Sequence, residues 1–166
     1  IQVKVCVRGI PLTPKAKPSQ GNCMAIYHCS TKTVNRSSGR TAVASSAYRA
    51  GEKLKDERTG LIHDFTKKDG VVHSEIISHL DIQIDRNELW NLAEKSENRK
   101  DARTAREWVI ALPDELDAQQ RKDLAKFFTQ SLVDHYGVIA DLAIHAPSKG
   151  GNDKNHHAHI MLTTRK

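Results

Sequence analysis

Two apolar runs close the chain, residues 138–146 and 157–164, and both read as strands. Between them lies a long polar loop, Pro147-Ser-Lys-Gly-Gly-Asn-Asp-Lys-Asn155. The second run opens on His156-His-Ala-His159, three of the nine histidines. Strand side chains alternate between faces, so His157 and His159 point one way, about 7 Å apart, and His156 points the other. If the two runs are neighbours, His145 faces that pair. An isolated His-x-His is more often a coincidence of surface residues than a ligand pair. A third imidazole from an adjacent strand changes that, because three neutral imidazoles hold a divalent ion and leave coordination positions open.

The rest of the chain alternates strand and helix signals. Residues 25–30 read as a first strand, followed by a basic polar loop with Lys32, Arg36 and Arg40 and no acid. Such a loop is usually just solvated, and becomes a phosphate contact where it borders a nucleic-acid groove. Small, helix-compatible residues from Thr41 predict a helix running through Gly51 to about Lys55. Residues 61–66 and 71–78 read as a hairpin joined by Lys67-Lys-Asp-Gly70. Helical spacing returns from Arg86 to about Lys100, then a basic cluster precedes a strand over 107–112. Asp117 and Gln120 have capping-box spacing and open the best-patterned helix, with Gly137 as its stop. This order predicts an α+β fold: a mainly antiparallel sheet of about five strands with helices packed on it.

At 166 residues the chain fits one domain with its own core. Mean hydropathy is −0.57, and no apolar run approaches the ~20 residues of a membrane span. No signal peptide is legible, since Lys4 and Arg8 interrupt the N-terminal apolar residues. Cys6, Cys23 and Cys29 lack C-x-x-C spacing, which favours reduced thiols and a cytoplasmic setting. Residues 1–23, proline-rich and unlike the rest, read as an N-terminal extension or a vector-derived leader, ahead of a domain spanning 24–166. The net charge of +6 favours a polyanionic partner, but Lys4, Arg8, Lys15 and Lys17 supply +4 of it, leaving +2 for the remainder. Nucleic acid is allowed by this balance and not demanded by it.

A divalent ion on three imidazoles acts as a Lewis acid on a phosphoryl oxygen, and a nearby phenol can serve as nucleophile. A carboxylate behind one imidazole would orient it, and Glu107 is the nearest acid by strand position. Nothing in this chemistry selects Tyr48 over Tyr27 or Tyr136. His28 lies either near the site or in the core.

Five segments together resemble the MobA/MobL relaxases, the MobQ-type members of the HUH nickases: Met24-Ala-Ile-Tyr-His28, Ala47-Tyr-Arg-Ala-Gly-Glu-Lys-Leu54, Arg103-Thr-Ala-Arg-Glu-Trp-Val-Ile-Ala-Leu-Pro113, Ala143-Ile-His145 and Asn155-His-His-Ala-His159. The resemblance runs in order from Met24 to Lys166. It implies a relaxase that nicks one strand at a plasmid origin of transfer, with Tyr48 attacking the scissile phosphate. The 5′-phosphate stays on the tyrosine, a 3′-hydroxyl leaves, and the strand is later rejoined. It further implies that His145, His157 and His159 hold Mg²⁺ or Mn²⁺; on ligand preference alone, three imidazoles suit Mn²⁺, Ni²⁺, Co²⁺ or Zn²⁺ better than Mg²⁺. The implied partners are single-stranded or hairpin DNA at the origin, accessory relaxosome proteins and a type IV secretion coupling protein, with no membrane insertion, in a bacterial cytoplasm and from a plasmid gene. Candidate DNA contacts are Lys32, Arg36, Arg40, Arg49, Lys149 and Lys154.

Some relatives carry Glu at the position of Val109, on the strand face that Glu107 shares, so Glu107 is the candidate assisting carboxylate here. Relatives also commonly carry Pro where His156 stands, and His156 is expected not to be a ligand. The alternatives are a rolling-circle replication initiator or transposase of the HUH superfamily, a non-catalytic metal-containing DNA-binding module, or a metallohydrolase. The first usually places its tyrosine after the His-x-His, unlike this chain. The sequence stops straight after the last strand and reads as a fragment of a longer protein.

Overall fold

The computed structural model describes residues 28–79, 83–148, 150 and 152–165. The expected N-terminal extension over 1–23, Tyr27 and Lys149 lie outside the described residues. So does the first half, 25–27, of the expected first strand.

Strands β1 (Cys29–Asn35), β4 (Val71–Ile77), β5 (Arg103–Ala111), β6 (Ala140–His145) and β7 (His157–Thr163) form one antiparallel sheet in the order β1-β5-β7-β6-β4. A small ribbon pairs β2 (Lys53–Lys55) with β3 (Ile62–Asp64). Three helices pack around the sheet: α1 (Ala42–Ala50), α2 (Arg86–Lys95) and α3 (Ala118–Tyr136). The expected α+β fold with a five-stranded antiparallel sheet is the observed one. Among the described residues, no helix is long and apolar enough to cross a membrane.

The central strand β7 is sorted by parity. Ala158, Ile160 and Leu162 join Leu142 and Ile144 of β6 under Ala125, Leu132 and Val133 of α3. Met161, with Ala105 and Val34, meets Val43 and Ala47 of α1 and Leu89 and Trp90 of α2 on the opposite face. His157 and His159 share the parity of Met161, so they emerge on the α1 side.

Buried acids tie the helices to that side. Asp141 of β6 accepts hydrogen bonds from Ser46 Oγ (2.7 Å), Trp90 Nε1 (2.9 Å) and the Arg86 guanidinium (3.0 Å from Nη2), linking α1 and α2 to the sheet. Arg86 pairs with Glu52 as well. Glu94 of α2 accepts from the Ala42 amide (2.7 Å), one of the otherwise orphaned donors at the start of α1, and from Arg36 Nε (2.9 Å).

Local signals fare well where the partners are close in sequence. Asp117 and Gln120 form the capping box of α3, and Gly137 ends it at φ 63°. Four expectations need correction. First, α1 stops at Ala50, because Gly51 adopts the left-handed region (φ 68°) and reverses the chain. A Cβ there would also sit 3.2 Å from Val71 Cγ2. Second, the expected 61–66/71–78 hairpin does not form. After the reversal at Gly51, residues 53–55 return on 62–64 around a turn in which Asp56 accepts the Arg58 and Thr59 amides, while β4 pairs with β6. Third, part of the expected basic loop is strand: Val34 buries, and Lys32 to Val34 pair with Ala105 to Glu107, so β5 begins at Arg103 rather than 107. Fourth, α2 ends at Lys95, short of Lys100.

Candidate active site

The register of three strands assembles the histidines. His157 of β7 lies opposite His145 of β6, and His159 lies opposite Ala143 of β6 and Val109 of β5. Directly opposed residues share a face. The three imidazoles therefore converge, with ring centroids 5.3 Å (His145–His157), 4.9 Å (His145–His159) and 5.2 Å (His157–His159) apart. One ring nitrogen from each lies within 4.8 Å of the others. Ala143 and Val109, both short, leave the rings room.

The second nitrogen of every ring is anchored. His145 Nε2–H donates to the Arg49 carbonyl (2.7 Å), and His157 Nδ1–H to the Asn155 carbonyl (2.9 Å). His159 Nδ1–H donates to Glu107 Oε1 (2.6 Å). Carbonyls and carboxylates only accept, so each anchored nitrogen carries the proton and each remaining nitrogen presents a lone pair. The lone pairs are thus Nδ1 of His145 and Nε2 of His157 and His159. Burial pushes the His145 imidazolium down to about 4, opposed by the Arg49 carbonyl and aided by the charges of Lys68 and the other two histidines. His157 is lowered too, first by burial, against its bond to Asn155. Both rings are therefore neutral at neutral pH, the form that coordinates a metal. This donor set, with three oriented imidazoles and their hydrogen-bonded supports, fits a divalent transition ion.

Glu107 is 3% exposed and gripped by Arg49, through Nε (2.5 Å) and Nη2 (2.7 Å). Burial opposes its ionisation, but the bonds from His159 and Arg49 and the Arg49 charge prevail and push the carboxyl down to about 2. Arg49 thus addresses two histidines at once. Its carbonyl meets His145 and its guanidinium holds Glu107 behind His159. Nη1 also ties back to the Ser45 carbonyl one turn earlier (2.8 Å). Replacing Glu107 with Gln should weaken Mn²⁺ or Co²⁺ binding by roughly 10–100-fold in calorimetric titration. Unchanged affinity would remove Glu107 from the support of His159.

Tyr48 precedes Arg49, and its side chain is 50% exposed. Its ring meets Phe65 edge-on, with centroids 5.3 Å apart. The Lys68 ammonium lies 3.8 Å from the ring centroid and donates to the Tyr48 carbonyl (2.7 Å). Burial, then the charge of Arg49, lowers the Lys68 pKa. Tyr136, by contrast, ends α3 and packs with the core on the far side of the sheet.

The other sequence candidates scatter. Arg36 is drawn inward, its guanidinium bonded to Glu94 and to the Glu97 and Arg99 carbonyls (2.7 and 3.0 Å), and Arg49 is held by Glu107. Both are internal struts. Lys32, Arg40 and Lys154 are exposed. His156 turns away from the triad toward Asp114 (3.6 Å). His28 is exposed beside Ser30, neither in the core nor among the three histidines. Sequence reasoning missed Lys68 and Phe65, whose only local signals were membership of a turn and of a strand-like run.

Comparison with known proteins bears on the family and the fold. A family model described as the MobA/MobL family matches residues 40–166. The chain is 53% identical over 124 residues to "Mobilization protein MobL" of Acidithiobacillus ferridurans, covering 75% of this chain and 33% of that protein. It is 37% identical over 155 residues to "Conjugal transfer protein TraA" of Rhizobium radiobacter, covering 86% of this chain and 14% of that one. The chain therefore spans a third or less of the length of these curated relatives. A solved structure described as "Molecular Basis of Vancomycin Resistance Transfer in Staphylococcus aureus" superposes with a TM-score of 0.77 at 37% identity, covering 86% of this chain and 72% of that chain. With a family model matched over most of its length, this chain belongs to the MobA/MobL family.

Proposed function

We propose that this chain is the nicking domain of a relaxase, which cuts and rejoins one DNA strand at a plasmid origin of transfer. The observation that carries the reading is the coupling of α1 to the triad. Arg49 supports His145 through its carbonyl and grips Glu107 behind His159, while the adjacent Tyr48 stands half exposed with its ring braced by Phe65 and Lys68. The relatives' names, mobilization protein and conjugal transfer protein, point the same way.

In this reading Tyr48 Oη attacks the scissile phosphorus, and the bond from phosphorus to the 3′-oxygen breaks. The phenol gives up one proton and the leaving 3′-oxygen takes one, so no water is consumed. The phosphodiester energy is retained in the phosphotyrosine for rejoining. When bound by His145, His157 and His159, a divalent ion would supply Lewis-acid stabilisation of charge on the phosphoryl oxygens. Glu107 and Arg49 keep the His159 ring oriented, and Lys68 sets a positive charge beside the phenol, where it attracts the phosphate. Accessory relaxosome proteins and a type IV secretion coupling protein are the partners such a domain would serve, in the bacterial cytoplasm.

The test is incubation with a labelled strand from the origin of transfer, with Mn²⁺ or with EDTA, followed by a denaturing gel. A protein–DNA adduct is expected with Mn²⁺ and is expected to vanish with EDTA. A strand that is cut without any adduct would identify a metallohydrolase and overturn the proposal.

A further inference from the structure

A second basic feature lies at the other end of α1. Three segments enclose a cleft of about 480 Å³: the approach to α1 over 39–41, the β2–β3 turn over 58–61 and the α2–β5 loop over 98–100. Arg36, Arg40, Arg58, Arg99 and Lys100 line it, and among the described residues no carboxylate does. The acid behind its wall is Glu94, fully buried and shared by Arg36 (2.9 Å), Arg58 (3.6 Å) and the Ala42 amide. That leaves Arg40, Arg99 and Lys100 exposed and without an ion pair among the described residues.

Like charges gathered in one cleft repel, and the fold holds them there. Arg36 clamps the Glu97 and Arg99 carbonyls and so presents the loop carrying Arg99 and Lys100 to the cleft. The same lining includes Leu61, 58% exposed, and His63, whose Nε2 has no hydrogen-bond partner. Cations beside an exposed apolar side chain match the mix of backbone and base contacts used for single strands.

The cleft is also aligned with the proposed nucleophile. Thr41 lines it, and Tyr48 follows seven residues later, two helical turns on and therefore on the same side of α1. Ala44, small and part-exposed, lies between them. Seven residues of helix rise about 10 Å. Stacked nucleotides advance about 3.4 Å each along a strand, so this span is roughly three nucleotides.

We propose that this cleft is a phosphate subsite, holding a backbone phosphodiester of the same single strand about three nucleotides from the bond that Tyr48 attacks. The subsite rests on the nicking reading, and its role is to fix the register of the strand.

The test measures binding, not cleavage. Anisotropy of a labelled single strand of origin sequence is titrated with the full chain across a salt series, and compared with Arg40→Gln/Arg99→Gln/Lys100→Gln. A control, Arg121→Gln/Lys122→Gln/Lys126→Gln on α3, removes the same charge from the opposite side of the sheet. Each phosphate contact to a single strand contributes about 0.7 to the slope of log affinity against log salt. The cleft triple variant is expected to lose about 0.7 from that slope, the share of one phosphate, and at least about tenfold in affinity at low salt. The control should keep the wild-type slope, and the cleft variant should melt with the parent. An unchanged slope in the cleft variant, or an equal loss in both, overturns the subsite. A wild-type chain that does not bind the strand overturns the nicking reading itself.

Discussion

Tyr48→Phe is expected to leave a folded protein that binds the origin strand and forms no covalent adduct with it. The hydroxyl makes no hydrogen bond to any described residue, while the ring supplies the edge contact to Phe65 and the face under Lys68. Phenylalanine keeps both contacts and removes only the oxygen. Stability should therefore stay within about 0.5 kcal/mol of the parent, as for other surface changes that break no partner. Adduct formation should fall below detection, because the oxygen that would bond to phosphorus is gone. The denaturing gel with Mn²⁺ reads the second outcome and thermal melting reads the first. An adduct retained by the variant would assign the nucleophile elsewhere.

Asp141→Ala is the change with the largest expected effect on the fold. One carboxylate, buried in the sheet, receives donors from α1 (Ser46) and from α2 (Trp90 and Arg86). The Asp141 charge, with Glu52, raises the Arg86 pKa against a burial that would lower it. Removing Asp141 leaves a buried guanidinium with Glu52 as its remaining ion-pair partner among the described residues, and leaves Ser46 and Trp90 without that acceptor. Breaking a buried ion pair from one side costs about 3–5 kcal/mol. Against a typical total of about 5–15 kcal/mol, that is a large share. Urea denaturation should show the midpoint falling accordingly. A loss below about 1 kcal/mol would mean that water or Glu52 replaces the carboxylate and that the hub is dispensable.

The two experiments separate chemistry from scaffold. In the proposed reaction Tyr48 acts at the surface of α1, whereas Asp141 ties α1 and α2 to the sheet. The residues between them, Arg49 and Glu107, belong to both tasks. That is why Glu107→Gln is best read by metal affinity alongside a melt.

By itself the sequence determined those features that a few neighbouring residues decide. Strand alternation placed His157 and His159 on one face and turned His156 away, and the capping residues and Gly137 bounded α3. These depend on backbone geometry within a turn or two of the residue concerned. The tyrosine was different: only the family resemblance singled out Tyr48, since spacing alone treated three tyrosines alike.

The tertiary structure decided everything that depends on which distant segment arrives alongside. Gly51 ended α1 early and sent β2 onto β3, so the expected hairpin lost its partner and β4 joined β6 instead. Lys32 moved into a strand, and two of the expected DNA contacts became internal struts. The supports of the triad are bonds between residues 52 (Glu107 and His159), 58 (Arg49 and Glu107) and 96 (Arg49 and His145) positions apart. No local periodicity encodes such distances. A strand announces its own two faces, but its neighbour, and therefore which imidazoles converge and which carboxylate stands behind them, is settled only when the whole sheet is packed.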